Sequence, residues 1–307
     1  MNTQSNAMTP APLGAQAVAT ADIPAIRLFY SSVRRELWES RSIYIAPMAV
    51  ACLFLFGFLI SAMHLPQRLG SAISRAQLHD VIEQPYDMVA LLIMGVSFVV
   101  AVFYCLDTLY GERRDRSILF WKSLPVSDTT TVLSKTSIPV VVLPLLAFAV
   151  TVATQFAMLL LSSAILLGGG MSAGTLWSHL PLFHMWMMLF LHLLAGHGLW
   201  YAPIYGWLLL VSAWARRAPF LWAVLPLLAI GGVEKIAFNT SHFAAILQHR
   251  MMGGPSASAS TAGMSIDAMT PFTLPQLLGS PGLWIGLAIA AAFLAGAVRL
   301  RRYRGPI

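Results

Sequence analysis

Long stretches of the sequence contain no Asp, Glu, Lys or Arg, among them residues 42–67, 88–106 and 136–215. A helix that crosses a bilayer needs about 20 predominantly apolar residues, so the last stretch is long enough for two such helices. Only 10% of the residues are charged, whereas soluble domains carry roughly 25%. The sequence therefore predicts an all-α, polytopic membrane protein. It lacks the alternating segments of about ten residues that are typical of membrane β-barrels.

Six membrane spans are predicted, because the segment GGGMSAG at 168–174 indicates a reversal between the third and the fourth. Pro139 and Pro144 are expected to bend the third span, and Gly196, Gly198 and Pro203 to loosen the fourth. Residues 240–280 include a helical pattern, a Gly/Ser/Ala-rich stretch and a proline-rich apolar segment that predicts a re-entrant element. The predicted spans cover about residues 43–63, 88–110, 137–167, 182–214, 218–239 and 283–298.

The N-terminal region predicts a disordered leader at 1–24, since it lacks the basic region and the apolar core of a signal peptide. The membrane domain is expected to cover residues 25–304, followed by a short tail at 305–307. Its first helix is predicted to be amphipathic and to lie at the membrane interface, although a helix packed on a partner protein is an alternative. The apolar face of that helix consists of Ile26, Phe29, Tyr30, Val33 and Leu37, opposite Arg27, Ser31, Arg34 and Arg35.

The distribution of basic residues predicts the orientation of the six spans. With the N-terminus in the cytoplasm, 15 of the 19 Lys and Arg residues fall on the cytoplasmic side, as the positive-inside rule expects. The remaining four are Arg68, Arg75, Lys235 and Arg250. We therefore expect both termini in the cytoplasm of a bacterium and the spans in its inner membrane. The topology accounts for the net charge of +7, so no nucleic-acid partner is expected.

The loop between the second and third spans is the most informative segment, and it combines charges with apolar residues. Solvated loops rarely carry such an apolar group without a partner, so the segment predicts a short helix that docks a cytoplasmic protein. Aromatic anchors in the lipid headgroups are the alternative. Pro125 interrupts the chain, and Ser127 or Asp128 is expected to cap the next helix. The charged residues are Glu112, Arg113, Arg114, Asp115, Arg116 and Lys122, and the apolar ones are Ile118, Leu119, Phe120 and Trp121.

This loop resembles the coupling segment in permease subunits of type 2 ATP-binding-cassette (ABC) exporters. The matching residues are Glu112, Arg113, Arg114, Leu119, Leu124, Pro125, Ser127 and Lys135. The resemblance implies a dimer with a second, identical or different permease subunit in the lipid bilayer. It also implies two ABC ATPase subunits that bind ATP and Mg²⁺ and drive export through the coupling helices. This chain is then expected to hold no cofactor or metal and to have no catalytic residue.

The absence of other motifs agrees with a transporter subunit rather than an enzyme. The sequence has no G-x-x-x-x-G-K-[ST] loop for phosphate and no H-E-x-x-H pair for zinc. A membrane-bound redox or copper-handling protein stays an alternative, through His184 and His197 as haem ligands or through His184 and His249 beside methionines. The neighbouring methionines are Met185, Met187, Met188, Met251 and Met252. A non-transporting assembly scaffold is a further alternative.

Two adjacent ionisable residues, Glu234 and Lys235, lie near the outer end of the predicted fifth span. Charged residues in a membrane span are usually functional or mutually compensating. The pair therefore predicts either a gate or substrate contact, or two side chains that reach the interface together. Asp107, at the inner end of the second span, is expected to pair with Arg113, Arg114 or Lys135.

Overall fold

The computed structural model describes residues 25–65, 67, 81–123, 126–170, 172, 174, 177, 180, 182–251 and 278–304. The predicted leader, the tail, Pro125 and most of the predicted re-entrant element lie outside these residues. Within them the regular structure is entirely helical. The helices are α1 (Ala25–Glu39), α2 (Ser42–Ala62), α3 (Gln84–Arg114), α4 (Ser117–Ser123), α5 (Asp128–Gly168), α6 (Leu182–Trp200), α7 (Ala202–Trp214), α8 (Pro219–Phe238), α9 (His242–Met251) and α10 (Pro281–Tyr303).

Six of the described helices are long and apolar enough to cross a membrane, and they are α2, α3, α5, α6, α8 and α10. This confirms the predicted multi-pass membrane protein. The predicted fourth span corresponds to α6 together with the shorter α7, which begins directly after Tyr201. Helix α3 extends four residues beyond the predicted end at 110, and this extension changes the environment of the charges that follow.

Helix α5 begins well before the predicted start at residue 137. Ser127 is its N-cap, with the side-chain oxygen accepting a hydrogen bond from the backbone N–H of Thr130 at 3.0 Å. This confirms the expected cap. The helix then changes to a π-helical segment at Ile138–Val142, which contains Pro139. Proline has no N–H for the α-helical ladder, so the irregular segment lies where the sequence predicts a distortion.

Helix α6 also contains a π-helical segment, Leu193–Trp200, and it includes the two glycines expected to loosen this span. Gly198 packs directly against α5, because a Cβ atom at this position would lie 2.7 Å from the carbonyl oxygen of Val140. The two π-helical segments therefore meet backbone to backbone. Only a residue without a side chain allows this approach.

The core consists of two main clusters of buried apolar residues. One contains Ile43, Cys105, Leu109, Val132 and Leu209, and the other contains Val89, Ile93, Met158, Leu159 and Leu166 among its members. The first adjoins the end of the bundle at which α1, α4, the first turns of α5 and the last turns of α3 and α10 meet. We call this the charged end. The opposite end, at which α8 leads into α9 and α10 begins, is called the far end.

Candidate functional site

Helix α4 presents two apolar side chains to the outside at the charged end. Leu119 and Phe120 are 58% and 59% exposed. Ile118 is buried, and Trp121 is half-buried with its ring edge-on to that of Phe120. The expected exposed apolar group is therefore reduced to two residues. The other two hold α4 against the protein.

Trp121 connects α4 to α1. The guanidinium carbon of Arg35 lies 3.5 Å from the centre of the Trp121 ring, in a cation–π contact. The same guanidinium lies 3.1 Å from Glu36 and 3.8 Å from Glu112. Arg35 therefore joins the aromatic side of the short helix to a buried group of charges.

That buried group is centred on Glu36 of α1 and Lys135 of α5. The Nζ atom of Lys135 lies 2.8 Å from Oε1 of Glu36 and also donates to the hydroxyl of Thr108 at 2.8 Å. The other oxygen of Glu36 accepts a hydrogen bond from the hydroxyl of Tyr104 at 2.9 Å. Glu36 and Lys135 are both buried. A buried ion pair is stable only with such additional hydrogen bonds.

A second carboxylate, Glu112 of α3, extends the network to α10. Its Oε1 atom lies 3.1 Å from Nζ of Lys135, and its Oε2 atom accepts from Nη1 of Arg301. Arg301 also donates from Nε to Asp128, at the first residue of α5, over 3.0 Å. The network thus joins α1, α3, α5 and α10.

The charges of this network balance one another. Three carboxylates and three cations that are buried or half-buried lie at ion-pair distances, and we call them the six-charge network; the exposed Glu39, 3.8 Å from Arg35, is not counted with them. Burial of Glu36 raises the pKa of its carboxyl group, but attraction and hydrogen bonding by Lys135, with help from Tyr104 and Arg35, outweigh this and hold the pKa below its ordinary value. Glu36 is therefore ionised at neutral pH. The members are Glu36, Glu112, Asp128, Arg35, Lys135 and Arg301.

Arg113 also lies inside the protein and not in an exposed cluster. Its Nη1 atom donates to the carbonyl oxygens of Ala213 at 2.8 Å and Ala215 at 3.1 Å. These carbonyls end α7, where the helix offers them no partner of its own. Glu112 and Arg113, which the sequence assigns to the docking region, are therefore buried, because α3 continues to Arg114 and turns both side chains into the bundle. Their part in docking stays a prediction.

The other predicted charges of the loop are exposed. Arg114 donates to Asp115 at 3.0 Å, which lowers the pKa of that carboxyl group, and Arg116 has a left-handed backbone with φ of 58°. Lys122 donates over 3.5 Å to the backbone carbonyls of Arg302 and Arg304, at the end of α10. The exposed apolar residues of this region are therefore Leu119 and Phe120, and exposed charged residues lie on both sides of them.

Glu234, at the far end, caps a helix. Its oxygens accept from the hydroxyl of Thr240 at 2.9 Å and from the backbone N–H groups of His242 and Phe243 at 2.7 and 2.9 Å. These N–H groups begin α9 and are otherwise without helical partners. Lys235 is exposed. The geometry gives Glu234 a structural role, and the gate or substrate contact stays a prediction.

Arg250 of α9 is the second notable charge at the far end. Its guanidinium lies over the ring of Trp200, 4.2 Å from the ring centre, and Nη1 donates to the carbonyl of Gly282 at 3.0 Å. Nε and Nη2 are buried without a hydrogen-bond partner among the described residues. Gly286 leaves room for the group, since a Cβ atom there would overlap it.

The histidines do not form a metal site in the part of the chain that the structure describes. His197 packs against His192, with ring centres 6.2 Å apart, and not against His184. The described residues contain no group of three or more His, Cys, Asp or Glu placed to hold a metal ion. The copper and haem alternatives therefore gain no support from the geometry.

Residues 170–174 have the spacing G-x-S-x-G, which surrounds the nucleophile of many serine hydrolases. That motif acts at a sharp turn between a strand and a helix. Here Ser172 follows the end of the long helix α5, and its hydroxyl accepts from the N–H of Gly174 at 3.2 Å. The described residues contain no strand. The pattern lacks the structural context of a nucleophile.

Sequence reasoning did not identify the six network residues as a group. Glu36 lies in a helix whose pattern indicates only an amphipathic surface, and Arg301 lies in a basic tail that the positive-inside rule already explains. The one available signal was the scarcity of acidic residues. The chain has 12 in all, so a Glu within a basic amphipathic helix is unusual enough to suggest a buried partner.

Comparison with known proteins gives no family assignment. No protein-family model, curated protein or solved structure matches this chain.

Proposed function

We propose that this chain is the permease subunit of an ATP-driven exporter of the type 2 ABC kind. The observation that carries the proposal is the construction of α4. This helix exposes Leu119 and Phe120 outside the bundle, while Trp121 connects it through Arg35 to charges that join four helices. A surface intended only for lipid anchoring would not need such a connection to the interior.

The proposed mechanism follows from this connection. An ATPase subunit binds the exposed face of α4 and moves it when ATP and Mg²⁺ close the ATPase pair. Because Trp121 is stacked on Arg35, the movement reaches α1, and the network passes it to α3, α5 and α10. Two permease subunits in the bilayer then change the access of a shared pathway between the two sides of the membrane.

The proposal includes an orientation. The charged end lies on the cytoplasmic side of a bacterial inner membrane, and α1 lies at the membrane interface. Val33 and Leu37 of α1 pack against the core, while Ile26, Tyr30 and Trp38 stay exposed for contact with lipid. Reporter tags at residues 4 and 307 should both read cytoplasmic, and an insertion at residue 258 should read external. A C-terminal tag that reads external would contradict this orientation.

The decisive experiment is copurification with an ATPase subunit that carries a complete phosphate-binding loop and is encoded beside this chain. Phe120→Ala should weaken the complex by about thirtyfold, since loss of an aromatic anchor commonly costs about 2 kcal/mol. Tyr303→Ala is the matched control, because this exposed aromatic residue lies at the same end but outside α4. It should change the affinity less than about twofold.

Other outcomes would point to the alternatives. Equal effects of Phe120→Ala and Tyr303→Ala would remove α4 as the docking site. Membranes in which no ATPase copurifies with the intact chain would favour an assembly scaffold. Stoichiometric haem or copper in the purified protein would favour a redox or metal-handling function.

A further inference from the structure

A small cavity lies at the junction of α7, α8 and the end of α10. It has a volume of about 280 Å³ and is lined by Trp214, Ala215, Arg216, Trp222 and Arg304. A volume of about 30 Å³ per water molecule gives room for roughly nine waters. The cavity can therefore hold one polar group of moderate size and not a whole lipid or peptide.

The charges around this cavity are all positive. Arg304 is fixed beside it by a hydrogen bond of 2.7 Å from Nη1 to the carbonyl of Trp214. Arg113 lies next to it, because its Nη1 atom donates to the carbonyl oxygen of Ala215, which lines the cavity. Among the described residues, no carboxylate lies within ion-pair distance of Arg216 or Arg304.

This contrasts with the six-charge network, where each cation faces a carboxylate. Neighbouring guanidinium groups repel one another, and a bound anion relieves this repulsion; the planar guanidinium fork matches the oxygens of phosphate and carboxylate. The arginines therefore favour an anionic ligand in the cavity.

The position of the cavity indicates where that anion comes from. It lies between the last residue of α7 and the first turn of α8, one of the helices able to cross the membrane. Trp214 and Trp222 line it with their rings 4.7 Å apart in an edge-to-face contact. Tryptophan and arginine at the ends of membrane helices lie at the depth of the lipid headgroups.

We propose that this cavity binds the phosphate of an anionic membrane phospholipid, held by Arg216 and Arg304 beside the paired rings of Trp214 and Trp222. The inference depends on the membrane placement of α8 and α10 and is independent of the exporter proposal. A bound phosphate would join the end of α7 to the start of α8 and the end of α10. The described contacts of α8 with the rest of the bundle are few, since Ala223 is its one buried residue.

The test measures lipid binding to the purified full chain in a neutral detergent by native mass spectrometry. Dioleoylphosphatidylglycerol is the anionic probe, and dioleoylphosphatidylcholine is the zwitterionic comparison. Arg216→Gln should lower the affinity for the anionic lipid about tenfold, which is the loss of one charge-assisted hydrogen bond. Arg217→Gln is the matched control, because it removes the same charge from the adjacent residue, which does not line the cavity. It should change the affinity less than about twofold.

Every other outcome contradicts the proposal. Equal losses in the two variants would mean that the lipid responds to general surface charge and not to this cavity. Equal affinity of the unchanged protein for both lipids would mean that no anion site exists. Displacement of the lipid by millimolar inorganic phosphate would assign the cavity to a soluble phosphate compound. The melting temperature of each variant, measured in parallel, separates lost binding from lost folding.

Discussion

The two ends of the bundle bury guanidinium groups in opposite ways. Arg301, at the charged end, faces Glu112 and Asp128, so its charge is neutralised by carboxylates. Arg250, at the far end, lies on the ring of Trp200 and donates to one carbonyl. Burial lowers the pKa of Arg250, and its Nε and Nη2 atoms have no partner among the described residues.

This difference predicts how much stability each end loses when one of its residues is replaced. Paired buried charges depend on one another, so removal of one member leaves a carboxylate or a cation isolated at low dielectric. An arginine on an aromatic ring can leave without isolating any other charge. We therefore expect the charged end to be intolerant of single substitutions and the far end to be tolerant of them.

The largest expected effect is that of Lys135→Met. The substitution removes the buried cation that Glu36 and Glu112 share and leaves both carboxylates to the half-buried Arg35 and, for Glu112, Arg301; it should lower the free energy of unfolding by about 3–5 kcal/mol. Thermal unfolding in detergent, followed by size-exclusion chromatography, measures this. Lys122→Met is the control, since Lys122 is exposed at the same end, and it should cost less than about 0.5 kcal/mol. Similar melting temperatures for the two variants would show that the buried charge pairs do not make the charged end intolerant of substitution.

A smaller effect is expected from acid. The pKa of Glu36 in the folded protein lies below its ordinary value of 4.5, so the ionised carboxylate stabilises the fold above that value. The stabilisation is lost as the pH falls below about 4.5 and through the lowered pKa, by at most about 1.4 kcal/mol per pH unit for one group. The Glu36→Gln variant should be less stable at pH 7 but should lose less on acidification. If both proteins lost the same amount of stability on acidification, Glu36 would not be the titrating group responsible.

The smallest effect is expected at the far end. Arg250→Met should lower the free energy of unfolding by about 1 kcal/mol, because it removes one cation–π contact and one hydrogen bond but leaves no charge isolated. Gly286→Ala should have a similar effect, since the added methyl group displaces the flexible guanidinium and not the backbone. Both variants are compared with Gly57→Ala, where a Cβ atom meets nothing within 4 Å. A loss as large as that of Lys135→Met would show that the far end is held as firmly as the charged end.

The sequence predicts the six spans well because each contains a long apolar run with few charges, and the irregular helical segments follow from Pro139 and from Gly196 and Gly198. It does not predict the six-charge network. Glu36 and Lys135 are 99 residues apart, and Glu112 and Arg301 are 189 apart. The hydrophobic periodicity of a sequence does not indicate which of several cations a carboxylate will contact in the fold. The sequence places Glu112 and Arg113 in a loop, but they belong to α3, since the end of an apolar run is not the end of its helix.

The short length of helix α4 and its two anchoring residues restrict how it can move. A helix of seven residues is only about 10 Å long, too short to be stable alone in water. Ile118 anchors it in the bundle, and Trp121 anchors it on Arg35. Rotation of α4 about its own axis would withdraw one or both anchors. In the proposed docking, a push on Phe120 would therefore displace α4 as a whole and would not rotate it about its own axis.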